Sequence, residues 1–176
     1  MRMLLILLIA ISISMPVMAQ DEAAKSPSPP PCSADKYRQF DFWIGDWNVT
    51  SNGQPAGTNS IHPAHNGCAL LENWQGTGPG GISGSSLNIY DQANGKWHQT
   101  WVDGSGALLE LDGGWHDGSM ILQGERPAMD GKGITKHRIT WTPNEDGSVR
   151  QLWEASKDGL SWTTLFDGLY EKVPEN

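Results

Sequence analysis

The sequence predicts an all-β chain, closed into an up-and-down antiparallel β-barrel of about ten strands behind a short N-terminal helical turn. Three observations predict it. From about Phe40 to the C-terminus, apolar residues recur with period two, and no stretch carries the 3.6-residue period of a helix. The alternating segments are short and are separated by Asn52-Gly53, Asn94-Gly95, Asp103-Gly104, Asp117-Gly118, Asp146-Gly147 and Asp158-Gly159. These residues tolerate the positive φ that tight hairpins need. Neither face of the segments is purely polar, which suits a barrel with a mixed lumen better than a sandwich with one wet side.

The N-terminus reads as an export signal. Arg2 precedes an apolar run, Leu4 to Ile13, which Pro16 breaks. The run is shorter than the ~20 residues of a spanning helix, and Val17-Met18-Ala19 has the small-x-small pattern of a cleavage site. Residues 1–19 are therefore expected to be a signal peptide, and the mature chain periplasmic or secreted, with no membrane span left after cleavage. Residues 20–34 follow as a disordered leader rich in proline (Pro27, Pro29, Pro30, Pro31). Residues 35–176 remain for one barrel domain, about 140 residues, long enough for a core of its own. The formal net charge of −8 disfavours nucleic acid and anionic membranes as partners.

Within the domain, a weak pattern over Asp35–Phe42 predicts the helical turn, placed to plug one end of the barrel. Strands are expected near 43–50, 57–65, 68–76, 82–90, 96–102, 107–114, 119–125, 134–142, 148–156 and 161–171. Asp130-Gly131-Lys132-Gly133 sits in a longer connection, and Gly76 to Gly81 reads as a rim loop. Short connections throughout favour a meander over a Greek key. Period two puts Trp97, Gln99 and Trp101 on one face, Glu72 with Trp74, Gln151 with Trp153, and Trp162 with Phe166. The two cysteines, Cys32 and Cys68, are expected to pair, as is usual in exported proteins.

Two family resemblances follow from these residues. Gly45-Asp46-Trp47 at the start of the first strand, behind a short turn, resembles the opening signature of lipocalins and the wider calycin group. The resemblance implies structural roles for Gly45 and Trp47, with Trp47 at the closed end under an Arg from a late strand. Arg150 is the best placed candidate, and Arg138 the second. More specifically, Phe42-Trp43-Ile44-Gly45-Asp46-Trp47-Asn48-Val49 resembles a group of uncharacterised bacterial exported lipocalin-like proteins. Gly67 to Trp74, Leu87 to Asp91, Lys96 to Asp103 and Gly168-Leu169-Tyr170 continue that resemblance. It brings no activity with it. The haem-binding nitrobindin-like barrels are similar in size and strand count and hold iron through a His on a late strand. The last histidine here is His137, so haem does not carry over, and no cofactor is expected.

The candidate ligand-binding residues are Glu72, Trp74, Trp97, Gln99, Trp101, Gln151 and Trp153. Their nearest alternative role is core packing, since aromatic side chains bury large areas. Glutamine and glutamate on an inner face need partners, which a polar ligand, trapped water or a cross-strand network can supply. Stacking aromatics beside amide groups suit a sugar, an aromatic metabolite or a small amphiphile. No metal site is expected: His62 and His65 fall on opposite faces of an extended chain, and His98 lies opposite Trp97 and Trp101. No Gly-x-Ser-x-Gly elbow is present. The leading expectation is a non-enzymatic exported barrel binding a small molecule in a Trp-lined lumen. Two alternatives stand beside it. One is an enzyme of the same fold, pairing Glu72 with His98 or Arg150, or with Glu110 or Glu154 as a second carboxylate. The other is a filled barrel whose rim contacts an envelope protein or glycan.

Overall fold

The computed structural model describes residues 29–174; the expected signal peptide and most of the leader lie outside them. Two 3-10 turns, Asp35–Tyr37 and Asp41–Trp43, precede ten strands. These are β1 (Gly45–Ser51), β2 (Gln54–Ala64), β3 (Ala69–Gly76), β4 (Ser83–Asp91) and β5 (Lys96–Asp103). They continue as β6 (Leu108–His116), β7 (Ser119–Pro127), β8 (Ile134–Pro143), β9 (Val149–Ser156) and β10 (Thr163–Lys172). Every strand pairs antiparallel with its sequence neighbours, and β1 pairs with β10, so the sheet is a closed barrel without an edge. Among the described residues no helix is long and apolar enough to cross a membrane.

The expected strands all form, and the differences lie at their ends. Trp43 belongs to the second 3-10 turn rather than to β1. Strand β2 starts at Gln54 because Asn52 and Gly53, both at positive φ, turn the chain tightly enough to pair Ser51 with Gln54. A register shift at Val49/Thr50 then leaves Ala56 as the extra residue of a bulge. Pro55, which cannot donate to a ladder, is tolerated beside such a bulge.

One end of the barrel is sealed by the N-terminal turns. The Phe40 ring stacks on Trp43 at 4.9 Å and meets Trp141 and Trp97 edge-on at 5.2 Å and 5.6 Å. The Trp47 indole N–H donates to the carbonyl of Trp43 at 2.9 Å, which pins the plug to β1. Gly45, between them, has φ 144°, a conformation that strains any residue with a side chain. Further ties run outward: Tyr37 Oη donates to Gln92, the Trp97 indole N–H donates to Gln39, and Arg38 donates to the Gly67 carbonyl and to Asp41. The Cys32–Cys68 disulfide joins the segment before the first 3-10 turn to the turn before β3. Ionised residues at this end also differ from the expected set. The cation over Trp47 is Lys172, its Nζ 5.3 Å from the ring. Arg150 lies outside the barrel, because strand parity sets it opposite to the buried Val149, and it makes a two-pronged pair with Asp167 at 2.7 and 2.8 Å. Arg138, also outside, pairs with Glu154 and covers the Trp162 ring at 4.2 Å.

Trp162 therefore does not share a face with Phe166. A register shift between Thr164 and Phe166 inserts a residue into β10 and breaks the period-two count.

The disulfide closes a loop of 36 residues by sequence separation. Removing it as the double variant Cys32→Ser/Cys68→Ser is expected to cost about 3–4 kcal/mol in the chain-entropy account. Equilibrium denaturant unfolding checks this, with reduced and oxidised wild-type protein as the companion pair.

Candidate functional site

The plug fills the barrel only part of the way. Above it, towards the end bounded by the turns 77–82, 104–107, 128–133 and 157–162, a cavity of about 240 Å³ remains. Alternation decides what lines it. Inward positions of β3 supply Glu72 and Trp74, those of β5 Gln99, Trp101 and Asp103, and those of β9 Gln151 and Trp153. Leu109, Ile139 and Trp141 also line it, and Tyr170, Phe166 and Leu165 come from β10. Leu165 and Phe166 are consecutive and both reach the cavity, which only the β10 bulge permits.

Of the seven candidate ligand-binding residues, six line this cavity: Glu72, Trp74, Gln99, Trp101, Gln151 and Trp153. The seventh, Trp97, is on the same face of β5 as Gln99 but two residues nearer the plug. It packs there against Phe40 and Tyr90 and does not line the cavity.

The lower part of the site is a polar network across four strands, β2 to β5. Glu72 is 5% exposed and Gln99 2%. The Asn59 amide donates to Glu72 Oε1 at 2.7 Å, and the Ser86 hydroxyl donates to Glu72 Oε2. Asn88 donates to Ser86 Oγ, and Gln99 donates to Asn88 Oδ1, each at 2.8 Å. Tyr170 Oη donates to Gln151 Oε1. Burial raises the Glu72 pKa to about 7, and the donors from Ser86 and Asn59 only partly oppose it. Burial, and next the charge of Glu72, hold the Tyr170 phenol well above its usual range, so it stays neutral. Trp141 also lines the cavity, and its buried indole N–H meets no acceptor among the described residues.

The upper part is aromatic. Trp74 meets Phe166 edge-on at 6.0 Å. The Trp153 indole N–H donates to His137 Nδ1 at 3.1 Å, which requires the proton of neutral His137 on Nε2. Burial, then Arg126, depresses the His137 pKa, so it is neutral near pH 7. The Trp101 indole N–H donates to Asp103 at 3.2 Å. Burial works to raise the Asp103 pKa, but donors from Ser105, Trp101 and Ala107 outweigh it and keep that carboxylate ionised.

Three of these rings lie over glycines. A Cβ on Gly57 would come within 2.6 Å of the Trp74 ring, and one on Gly84 or Gly168 would overlap Trp101 or Phe166. Each ring is laid flat along the wall in the space that a side chain would take. That is what leaves the centre of the lumen open between large residues.

The partners considered for acid–base chemistry with Glu72 are all outside. Arg150 and Glu154 are paired on the outer surface, and Glu110 is exposed. His98 bonds Asp112 through Nδ1 and Thr100 through Nε2, both at 2.8 Å. That order, carboxylate to imidazole to hydroxyl, is the order of a nucleophile relay. It stands on the outer wall, where the backbone of β5 is engaged by ladders on both sides, and so has no free N–H pair to stabilise an oxyanion.

Asn59, Ser86, Asn88, Asp103 and Tyr170 belong to the site and were not singled out from the sequence. Tyr170 was accessible there, four residues from Phe166 and hence on its face. Asn59 and Ser86 emerge only from cross-strand register, Glu72 facing Ser86 across β3–β4 and Ile61 across β2–β3. No family model matches the chain, and no curated protein matches it in sequence.

Two measurements follow. Glu72 binds protons more tightly folded than unfolded, so its contribution to stability is full below pH 4.5 and is lost as pH rises to about 7. Relative to Glu72→Gln, the wild-type protein is expected to lose about 3 kcal/mol between pH 4 and pH 8, read from parallel urea titrations across that range. Gly84→Ala is expected to displace the Trp101 ring into the lumen at a cost of about 1–3 kcal/mol, detected as a lower unfolding midpoint with an altered near-UV Trp spectrum.

Proposed function

We propose that this protein is an exported, lipocalin-like barrel that binds a small apolar or amphipathic molecule in its lumen. The observation that carries the reading is the division of one cavity into aromatic walls and a hydrogen-bonding floor. Trp74, Trp101, Trp153 and Phe166 offer flat apolar surface. Glu72, Gln99 and Gln151 offer polar contacts beneath them. Ligand sites are built this way, apolar over most of their area with a few placed polar groups. The volume lies below the roughly 300–1,000 Å³ of drug-sized sites, so the ligand is small. Export is supported by the N-terminal signal pattern and by the Cys32–Cys68 disulfide, a bond that persists in oxidising compartments. The Gly45-Asp46-Trp47 opening supports the lipocalin-like reading through its place at the start of the first strand, directly behind the plug.

A second reading has one observation in its favour. A carboxyl group with a pKa of about 7 inside a cavity is poised for proton transfer, so the same lumen suits an enzyme that uses Glu72 as its single acid–base group.

Native mass spectrometry of the protein, purified gently from the envelope fraction, tests the binding reading. A reproducible added mass, released on denaturation and reduced at least tenfold in occupancy in Trp101→Ala and Gln99→Ala, is the expected result. Folded variants that keep the same added mass as the wild type would exclude the lumen as the site.

A further inference from the structure

The charge of the lumen narrows the ligand further. Three ionisable residues line the cavity, Glu72, Asp103 and Tyr170, and all three are acids. No lysine or arginine is among the lining residues. Arg126, on β7 near the open end, donates to the Leu108 carbonyl and is not part of the lining. His137 is occupied as an acceptor of the Trp153 N–H and is neutral. A carboxylate therefore stands at the mouth and a second carboxyl group stands deep inside, with no cation among the described residues paired to either. A buried carboxyl group without a counter-charge costs the folded state much of the solvation it had in water.

The walls have matching chemistry. Indole and phenyl faces attract cations through their quadrupoles, and a group of them around one site is the usual arrangement for binding an organic ammonium ion. Trp74 stands two residues from Glu72 on the same face of β3, and Phe166 meets Trp74 edge-on. An anionic ligand would meet two acidic groups here. A neutral one would leave the charge of Glu72 uncompensated.

We propose that the lumen takes a small organic cation, a protonated amine or quaternary ammonium with a short apolar body, its charge set against Glu72 and its body between Trp74, Trp101, Trp153 and Phe166. This rests on the binding reading above. Asn59 and Ser86 hold the two carboxylate oxygens in place by donating to them. The ligand would supply the counter-charge that the protein omits.

Binding is then linked to the ionisation of Glu72. The groups near it from the neighbouring elements are Asn59 and Ser86, which do not titrate, and Tyr170, which stays protonated. Asp103 at the mouth is ionised and His137 neutral near pH 7. With a Glu72 pKa of about 7, the ionised fraction rises about tenfold from pH 6 to pH 8, and cation affinity rises by the same factor.

The test is calorimetric titration of the full exported chain with three matched probes: phenethyltrimethylammonium, 2-phenylethanol and 3-phenylpropionate. The ammonium is expected to bind at least tenfold more tightly than the alcohol at pH 8, with that advantage falling about tenfold at pH 6. The propionate is expected to bind most weakly. Glu72→Gln is expected to lose the ammonium preference over the alcohol. Equal or tighter binding of the alcohol by the wild-type chain overturns the cation inference while leaving the lumen as a binding site. Failure of all three probes to bind overturns the binding reading itself. An ammonium preference that survives in Glu72→Gln overturns the role of Glu72. If that variant does not fold, the wild-type pH profile decides, since a flat profile between pH 6 and pH 8 contradicts the linkage.

Discussion

The stack of Phe40 on Trp43, tied down by the Trp47 N–H to the Trp43 carbonyl, is the contact on which the rest of the structure depends. A ten-strand barrel encloses more space than its own inward side chains fill. Something must occupy one end or the walls collapse inward. Here the chain supplies its own stopper, made of residues just before β1. The aromatic residues of β5 and β8, Trp97 and Trp141, close around it. Arg38 and the disulfide tie it to the turn between β2 and β3. Because the stopper is short, it fills only the lower lumen, and the upper lumen is left for other use.

The boundary between the packed and the open half is where the polar network lies. Glu72, Asn59, Ser86, Asn88 and Gln99 satisfy one another across β2 to β5. Such a network is worth most when complete and is costly when one member is missing. It also fixes register, since a one-residue slip of any of these strands would send its polar members outward. The glycines above it act in the opposite sense. Gly57, Gly84 and Gly168 remove side chains from the wall so that Trp74, Trp101 and Phe166 can lie against backbone. Large rings and open space coexist in one lumen because the rings occupy space that glycines leave along the wall.

How far the sequence could be read depended on whether a feature was local. Period two and the paired turn residues located every strand, and Asn52-Gly53 forms its hairpin as expected. Six of the seven candidate ligand residues meet in the cavity because parity along a single strand suffices to group them. Trp97 shares that parity yet misses the cavity, since height along the barrel is set by the plug and not by alternation. Trp162 was misplaced by the β10 bulge, which no residue type announces. Arg150 is a late-strand arginine, but its neighbour Val149 takes the inward position, and Lys172 reaches Trp47 from the end of the last strand. Asn59 and Ser86 depend on the pairing of separate strands, which alternation within one strand does not encode.

A buried carboxyl group is a costly residue to keep in a barrel wall. If Glu72 served only to complete the network, a glutamine of nearly the same shape would do so without the desolvation of a charge. The surrounding donors also argue against a purely structural role. Asn59 and Ser86 direct hydrogen onto both oxygens, an arrangement that favours the ionised form which burial opposes. The result is a group that burial pushes up to about 7 and that its donors only partly draw back. Inside a sealed core, that balance would serve no purpose. At the floor of a cavity whose walls are aromatic and whose mouth carries a second carboxylate, it makes the site responsive to whatever charge enters.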